Sequence, residues 1–532
     1  CNSALRIGKV EKKNPRDVAQ AIIDELGDDL FEKVEIAGPG FINLTLKKEI
    51  ISDRLNEMTQ DDRLGIPRFE AGKRLVIDFS SPNIAKELHV GHLRSTIIGE
   101  SLARILEFVG YDVVRLNHVG DWGTQFGMLI AFLKKEHPEI LQEGGGGDLP
   151  SLMQWYREAK KVFDEDEIFK KQSQEEVVRL QAGDGSSIAA WKRICAISRE
   201  GFEEVYKLLD VTIQERGESF YNDKLPGVIT DLEAKGLVTV SDGAKCIFLD
   251  GFEGKDGSPL PMIVQKSDGG YNYSTTDLAT MRHRVDVEKA DRIIYVVDNG
   301  QALHFRMLFA AAKKAGWLIP AKVDATHVGF GVVLGSDGKK FKTRSGKTER
   351  LIDLLTHAVD KATEILQDRM PDAKPEEVKE TATILGIDAV KYADLSGHRM
   401  KDYTFSYDRM LRFEGNTAAF LLYSYVRIQG IKRKVGHDLP SGKITLKHPS
   451  EIALGLHLTQ FVETLTAIDR ELLPNRLCDY LYTLAEKFNA FYRDCPILDH
   501  ADQNSRFHLC NLTATALATG LHLLGLKPVQ KM

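Results

Sequence analysis

The chain has 532 residues, which is more than a single hydrophobic core can organise, so we expect two to four domains. Hydrophobic residues make up 43% and charged residues 28%, which excludes a disordered or fibrous chain, and no apolar run approaches the roughly 20 residues of a membrane span. The formal net charge of -6 carries no bulk basic signal for nucleic acid, although a single face of the protein can still be basic.

The cysteines indicate a reducing compartment. The six of them are scattered and form no CxxC pair, so we expect neither a thiolate zinc site nor a disulfide framework, and no tightly bound metal. A cytoplasmic location is the default prediction, and an organellar alternative stays open. The chain begins with Cys1 rather than Met, which suggests that upstream residues are missing and leaves any targeting segment unjudged.

The first 70 residues predict a small α/β module. Apolar residues at helical spacing predict a helix over Pro15–Leu26. Val34–Leu46 reads as a hairpin with a Gly-Pro-Gly turn. The polar stretch Arg68–Lys73 is typical of a linker, so we place the first domain at residues 1–70.

A parallel sheet is predicted next, within a domain that we place at residues 71–402. The apolar run Leu75–Phe79 leads through a loop into a helical pattern that ends near Phe108, and Asp112–Asn117 is a second strand. A strand, a helix and a strand in this order indicate a right-handed crossover. Further strands are predicted at Arg292–Val297 and His327–Val333.

An insertion at about residues 141–265 is expected to interrupt this domain. It contains a helical stretch at Trp155–Phe163 and a glycine run at Gly144–Gly147. We interpret the glycine run as a linker, because no Gly-Lys-Ser/Thr follows it as in a phosphate loop.

Helical patterns dominate the last part of the chain, residues 403–532. Proline and glycine fall mainly between these patterns, which predicts a helical bundle. The predicted helices span Gly415–Ile431, Leu456–Ile468, Leu477–Phe491 and Arg506–Leu524.

The segment His89-Val90-Gly91-His92 follows the first strand of the sheet and opens a helix. Helix starts at this edge of an α/β sheet bind phosphate, because their N–H groups are free and carry partial positive charge. The two histidines can donate hydrogen bonds to phosphate oxygens, and Gly91 lets a base approach the backbone. The alternative interpretation is a helix start with two incidental histidines.

A second basic loop runs from Lys339 to Gly346 after a predicted strand. Lysines such as Lys340 and Lys342 act as point charges on a leaving pyrophosphate, and such a loop can fold over a polyphosphate. The alternative interpretation of this run is a solvated surface turn.

Together these two elements are similar to the HIGH and KMSKS signatures of class I aminoacyl-tRNA synthetases. Longer stretches resemble the arginyl-tRNA synthetase family, and the likeness continues to the last residue: these stretches are Ser81–Thr96, Asn117–Gly127, Tyr392–Ser396 and Gly525–Met532. The resemblance implies a class I Rossmann-type catalytic domain with an insertion, flanked by an amino-terminal tRNA-binding module and a helical anticodon-binding domain.

The resemblance also implies the nucleotide site. The implied catalytic residues are His89, Gly91, His92, Lys86, Lys340 and Lys342, and ATP is expected at His89, Gly91, His92 and Lys342. The basic loop departs from the usual signature and reads Lys-Phe-Lys-Thr-Arg over residues 340–344, which leaves open how the lysines divide their roles.

An arginine pocket needs carboxylates that accept the forked donors of a guanidinium. Tyr273 and Asp277 are four residues apart and share a face if this stretch is helical. Asp277 as a helix N-cap and Tyr273 as a packing aromatic are the alternatives. By resemblance, the arginine-binding residues are Asp78, Ser81, Pro82, Asn83, His92, Tyr273, Asp277 and Gln301, with Asp78 as a second carboxylate for the guanidinium.

The implied reaction forms arginyl-adenylate from L-arginine and ATP and then transfers arginine to tRNA(Arg). Mg²⁺ is expected with ATP, held by phosphates and water rather than by the protein. Expected tRNA contacts are Tyr423 and Arg427 in the helical domain and Phe41 and Asn43 after the Gly-Pro-Gly turn. The alternatives are core packing plus a surface charge for Tyr423 and Arg427, and a hairpin core position for Phe41. No membrane is expected as a partner. A monomer is predicted, and membership of a larger synthetase assembly stays open.

Three other functions were weighed against this one. Another class I ligase, such as a cysteine-specific one, would need a zinc site, and the chain lacks clustered cysteine and histidine ligands. A non-catalytic relative would have lost residues such as His89, His92, Lys342 or Asp277, and all four are present. A nicotinamide-dependent dehydrogenase is disfavoured because no GxGxxG follows the first strand.

Overall fold

The structure is a computed structural model that describes residues 1–27, 29–142, 145–335, 337–341, 349–436 and 442–532. Its amino-terminal part is a small module around the buried Ile42. Asn14 caps the second helix, since its side chain accepts a hydrogen bond from the backbone N–H of Arg16 at 3.0 Å. The predicted helix and hairpin are confirmed: the elements are α1 (Ser3–Glu11), α2 (Pro15–Asp24), β1 (Phe31–Ala37), β2 (Phe41–Leu46) and α3 (Lys48–Met58).

The central part of the chain builds a five-stranded parallel sheet with the order β10-β9-β3-β4-β5. Leu75, Val76 and Ile77 of β3 are fully buried, as expected for a central strand covered on both faces. The elements of the sheet and its crossovers are β3 (Arg74–Asp78), α4 (Val90–Phe108), β4 (Asp112–Asn117), α5 (Thr124–Glu136), β5 (Gln214–Glu215), α10 (Tyr273–Asp286), β9 (Arg292–Tyr295), α11 (Ala302–Lys314) and β10 (Asp324–His327).

The last strand of this sheet lies earlier than predicted. β10 ends at His327, opposite Tyr295, so the predicted strand His327–Val333 is wrong. Past His327 the chain leaves the sheet because β9, its only neighbour among the described strands, has already ended at Tyr295.

The region predicted as one insertion is interrupted by β5, which returns to the parallel sheet. Three helices precede β5, and an antiparallel sheet of order β6-β7-β8 follows it. These elements are α6 (Leu149–Glu165), α7 (Glu167–Gln181), α8 (Gly185–Leu208), α9 (Leu225–Ala234), β6 (Thr239–Ser241), β7 (Ala244–Glu253) and β8 (Pro259–Gln265), with short 3-10 turns at Pro138–Leu141, Glu218–Lys224 and Asn299–Gln301.

The carboxy-terminal part is a helical bundle, as predicted. The predicted helix Leu456–Ile468 is in fact two helices, because the chain turns at Gln460, which has neither proline nor glycine to mark the break. The remaining elements are β11 (Val333–Leu334), α12 (Leu351–Arg369), α13 (Pro375–Leu395), β12 (Tyr403–Thr404), α14 (Tyr407–Met410), α15 (Ala418–Val435), α16 (Pro449–Thr459), α17 (Phe461–Glu471), α18 (Asn475–Asp494) and α19 (Gln503–Leu523). Every helix in the described ranges is too short or too polar to cross a membrane.

Candidate active site

The carboxyl ends of the parallel strands meet at one edge of the sheet, where open α/β folds bind their ligands. The predicted residues Ser81–His92 follow β3, and Gln301 follows β9. Tyr273 and Asp277 reach the same edge from the first turns of α10. The topology therefore collects on one edge residues that are more than 200 positions apart in the chain.

The loop after β3 is held in an unusual backbone conformation. Ser80 and Ser81 have φ angles of 69° and 50°, in the left-handed region that non-glycine residues rarely adopt. The N–H of Ser80 donates to Ser95 Oγ at 2.8 Å, and the N–H of Ser81 donates to Asn117 Oδ1 at 2.9 Å. Such strain persists only where the surroundings impose it, and it clusters at functional sites.

This turn leaves the next two residues in different environments. Pro82 is buried, and its carbonyl accepts a hydrogen bond from the N–H of Gly120 at 3.0 Å. Asn83 is exposed at the edge of the sheet, beside Gly120. A side chain at Gly120 would overlap the Asn83 amide, so this close approach requires glycine.

Both histidines of the helix start are held in one tautomer. His89 Nδ1 accepts a hydrogen bond from the N–H of Gly91 at 3.0 Å, and His92 Nδ1 accepts one from the N–H of His89 at 3.1 Å. An imidazole that accepts at Nδ1 carries its proton on Nε2 when it is neutral. Both rings therefore keep one N–H donor that the helix start does not use.

The charge state of these rings follows from burial. Burial lowers the pKa of His89, with further lowering by the charges of Lys340 and Lys86. Burial lowers the pKa of His92 to about 3, helped by His89 and Lys86. At neutral pH the two imidazoles are therefore uncharged donors, and the positive charge at this edge comes from the exposed Lys86 and Lys340. Lys342 and Arg344 lie outside the described residues.

Glycine is required between the two histidines. A Cβ built on Gly91 would lie 2.9 Å from His89 Cε1, too close for an unshifted ring. For the reaction that the sequence resemblance implies, we expect Gly91→Ala to lower kcat about tenfold, through displacement of His89, while the KM for arginine changes little. Gly227→Ala in α9, where a Cβ meets nothing within 4 Å, is the control, and kinetics of ATP–pyrophosphate exchange give both constants. A wild-type kcat for Gly91→Ala would refute this packing argument.

Asp277 is not a helix N-cap. α10 starts at Tyr273, and the cap is Asn272, whose side chain accepts from the N–H of Ser274 at 3.1 Å. Asp277 Oδ2 is instead 2.6 Å from Nε2 of His304 on α11. The ring of Tyr273 meets the ring of His304 edge-on at 4.9 Å, and Tyr273 is 62% exposed. This arrangement leaves Asp277 Oδ1 as an acceptor beside an exposed aromatic side chain.

A second carboxylate of the pocket, Glu218, was missed by the sequence analysis. Asp121 anchors the segment that carries it, accepting hydrogen bonds from Ser219 N at 2.8 Å and from Ser219 Oγ at 2.6 Å. Burial, together with the negative charges of Asp277 and Asp121, raises the pKa of Glu218 to about 7. The only sequence signal was an acidic residue three positions after the end of β5, and β5 was not predicted.

Two partly buried carboxylates that repel each other when both are ionised form a site for a cation. Neither Glu218 nor Asp277 has an arginine or lysine partner among the described residues. Tyr273 and His304 border Asp277, and the neutral histidines of the helix start lie at the same edge of the sheet. The site thus combines two neighbouring carboxylates with donors for a phosphate.

Three family models match the chain, one after another. "Arginyl tRNA synthetase N terminal domain" matches residues 1–46, "tRNA synthetases class I (R), catalytic domain" matches residues 54–407, and "DALR anticodon binding domain" matches residues 421–532. The chain belongs to the arginyl-tRNA synthetase family.

Curated relatives agree with this assignment over the full chain. The arginine–tRNA ligase of Protochlamydia amoebophila is 56% identical, over 100% of this chain and 92% of that relative. The arginine–tRNA ligase of Nostoc punctiforme is 52% identical over the same shares. The crystal structure of arginyl-tRNA synthetase from Plasmodium falciparum has a TM-score of 0.88 at 34% identity, and covers 100% of this chain and 92% of that one.

One predicted residue of this synthetase has a different place from the one expected. Asp78 was predicted to receive the substrate guanidinium, but its Oδ2 accepts a hydrogen bond from Arg284 Nη2 at 2.6 Å. Its Oδ1 accepts from Ser81 Oγ at 2.9 Å. Both oxygens are therefore occupied by the chain itself, and the carboxylate is almost fully buried. This pairing within the chain corrects the prediction for Asp78.

Of the predicted tRNA contacts of this synthetase, Phe41 and Asn43 are exposed, whereas Tyr423 and Arg427 are half-buried. Phe41 is 42% exposed, and Asn43 lies on the same face of β2, whereas Ile42 between them points into the core. The core interpretation of Phe41 is therefore wrong. Arg427 donates to Asn489 Oδ1 at 2.6 Å and stacks on Tyr423, with 5.0 Å between the guanidinium carbon and the ring centre.

Proposed function

We propose that this synthetase activates L-arginine at the carboxyl edge of its parallel sheet and that Glu218 and Asp277 together recognise the guanidinium. The observation that carries the proposal is the pairing of these carboxylates, without any basic partner in the described chain except His304. Each carboxylate can accept a charge-assisted hydrogen bond from a different edge of the planar guanidinium. Asn83 and Gln301 lie exposed at the same edge, and we assign the substrate's α-amino and carboxylate groups to them.

Recognition by two carboxylates explains why arginine would be chosen over its analogues. Lysine carries charge but lacks the fork of donors, and citrulline has no charge. Either would leave a buried carboxylate without a partner, so discrimination of about 10⁴ is expected without a hydrolytic editing site.

The chemistry consists of two displacements. A carboxylate oxygen of arginine attacks the α-phosphorus of ATP, and the bond to the departing pyrophosphate breaks. The terminal ribose hydroxyl of tRNA then attacks the adenylate carbonyl, and AMP leaves. The Nε2–H groups of His89 and His92 donate to the α-phosphate as its charge grows, and Lys86 and Lys340 stabilise the β and γ phosphates.

Lys342 is assigned to the same phosphates on sequence grounds alone, since it lies outside the described residues. The described residues hold no group of three or more His, Cys, Asp or Glu side chains that could bind a metal ion. We propose that Mg²⁺ arrives on ATP, coordinated by phosphates and water.

The partner surfaces follow the order of the domains. We propose that residues 1–70 and 403–532 contact tRNA(Arg) and that residues 71–402 catalyse the reaction, in a monomer. In the helical domain, Arg427 borders a cleft of about 340 Å³ together with Lys434, Tyr492 and Leu498. Tyr492 is 43% exposed, and an unstacked base can stack on such a ring.

Loss of the Arg427 side chain should weaken tRNA binding and leave the amino-acid site intact. We expect Arg427→Ala to raise the tRNA KM about tenfold, because it removes a charge and unsettles the stacked Tyr423 and Tyr492. Lys361→Ala on the exposed face of α12 removes an equal charge elsewhere and is the control. Aminoacylation kinetics at varied tRNA concentration test this prediction. An unchanged tRNA KM would exclude the cleft as a tRNA-binding surface.

The test of the proposed function is ATP–pyrophosphate exchange with and without cognate tRNA. Arginine is the substrate, and lysine and cysteine are the controls. Exchange with arginine but not with lysine or cysteine would support the proposed pocket, provided that Glu218→Gln and Asp277→Asn lose this exchange. Exchange with another amino acid would keep the fold and remove the roles given to the two carboxylates. Binding of tRNA without any exchange would favour a non-catalytic relative.

A further inference from the structure

A second layer of charged and aromatic groups lies below the pocket carboxylates. Asp277 and Arg284 are seven residues apart on α10, two turns along one face. Glu218 and Tyr221 are three residues apart on a 3-10 turn, where such residues eclipse each other. The two elements that carry the carboxylates thus also carry Arg284 and Tyr221 deeper in the protein.

Arg284 has one charge partner. It is fully buried, and its Nη2 donates to Asp78 Oδ2. Its guanidinium carbon lies 4.9 Å from the ring centre of Tyr295, which faces Asp78 across the β3–β9 pair. Within the described residues, Nε and Nη1 of Arg284 find no acceptor. Among the described residues, Asp78 is therefore the only carboxylate that pairs with Arg284.

The Asp78–Arg284 pair lies close enough to the pocket for an electrostatic effect. The pKa of the buried Tyr295 is raised chiefly by burial, and it is also affected by Arg284, Asp78 and Asp277, so all of these lie within one electrostatic neighbourhood. Seven helical residues correspond to roughly 10 Å. At about 10 Å and an effective dielectric constant of about 20, one unpaired charge changes a binding constant by about 15-fold.

We infer that Arg284 is a positioning residue that determines specificity: it ion-pairs with Asp78 and keeps the floor of the arginine pocket neutral. Glu218 and Asp277 then alone set the charge that the pocket recognises, so this inference rests on the proposed function. Asp78, the carboxylate at the end of β3, is withdrawn from the substrate by an arginine of the chain itself.

The pair can be tested one charge at a time. Asp78→Asn keeps the acceptor for Ser81 but leaves Arg284 unpaired, and a positive floor repels the substrate guanidinium. We expect the arginine KM in ATP–pyrophosphate exchange, and the arginine Kd from calorimetry, to rise about 15-fold, with the ATP KM unchanged. The double variant D78N/R284M has a neutral floor again, and its arginine KM should return to within about threefold of wild type.

A control separates the charge effect from lost stability. Glu451→Gln breaks another buried arginine–carboxylate pair, with Arg506 in the helical domain at 2.7 Å. It should lower the Tm and leave the arginine KM unchanged.

Each outcome decides between the two proposals. A wild-type protein without arginine-dependent exchange would contradict the proposed function itself. If the wild type exchanges arginine, three results would each overturn the neutral floor. These are an unchanged arginine KM in Asp78→Asn, a double variant that does not restore the arginine KM, and a double variant that does not fold. If Asp78→Asn does not fold, the double variant decides by itself: a KM within about threefold supports the inference, and a 15-fold rise overturns it.

Discussion

Asp277→Asn should lower kcat/KM for arginine about 10³-fold, because removing one partner of a desolvated, charge-assisted pair costs about 4 kcal/mol. The amide of Asn can also turn an N–H toward the guanidinium, so that two hydrogen-bond donors face each other. His304 holds one oxygen of Asp277, so the other is the acceptor that remains for substrate. The loss should fall on the arginine KM and on kcat/KM and leave the ATP KM unchanged.

A matched substitution on the same helix controls for effects on α10. Asp286→Asn removes an exposed carboxylate, 3.7 Å from Arg282, and should leave exchange kinetics as in wild type. Arginine-dependent exchange in the presence of tRNA measures both variants. An Asp277→Asn enzyme within tenfold of wild type would place the guanidinium elsewhere.

Arginine binding should strengthen as the pH rises from 6 to 8. Burial and the charges of Asp277 and Asp121 raise the pKa of Glu218 to about 7, above its ordinary value, so the carboxyl is mainly protonated below that pH. Only the ionised form attracts the guanidinium, and binding therefore releases a proton. One pH unit below the pKa about a tenth of Glu218 is ionised, so the arginine KM at pH 6 should be about tenfold above its value at pH 8.

Glu218→Gln should remove this pH dependence and raise the arginine KM at pH 8 about 10²-fold, since a charged partner becomes a neutral amide. Glu233→Gln, which changes an exposed carboxylate beside Lys245, should keep the wild-type pH profile. Steady-state exchange at a series of pH values gives both curves. A Glu218→Gln enzyme that retained the tenfold change would assign the titration to another group.

The nucleotide half of the site was predictable because its residues are local in sequence. His89, Gly91 and His92 occupy one helix start, and the hydrogen bonds that fix their tautomer join residues at most three positions apart. The helix face shared by Tyr273 and Asp277 follows from 3.6-residue periodicity in the same way. Short-range geometry of this kind is carried by the order of residue types.

The arginine half was only partly predictable, for physical reasons that concern Asp78 and Glu218. Asp78 was the natural candidate because it borders the signature loop, yet its partner Arg284 is 206 residues away. Glu218 follows a two-residue strand too short to show a periodic pattern, and it is anchored by Asp121, 98 residues from Ser219. Long-range ion pairs and short edge strands leave no local pattern to read.

The sequence by itself determined the family, the parallel sheet with its helical domain, and the chemistry of the helix start, because strand and helix periodicity and contiguous motifs are local properties. The tertiary structure alone decided which carboxylates are paired with an arginine of the chain itself. Packing brings β3, β5 and α10 to one edge of the sheet, and burial sets the charge of each group there. Asp78 forms an ion pair with Arg284 and is therefore not free to bind a substrate cation.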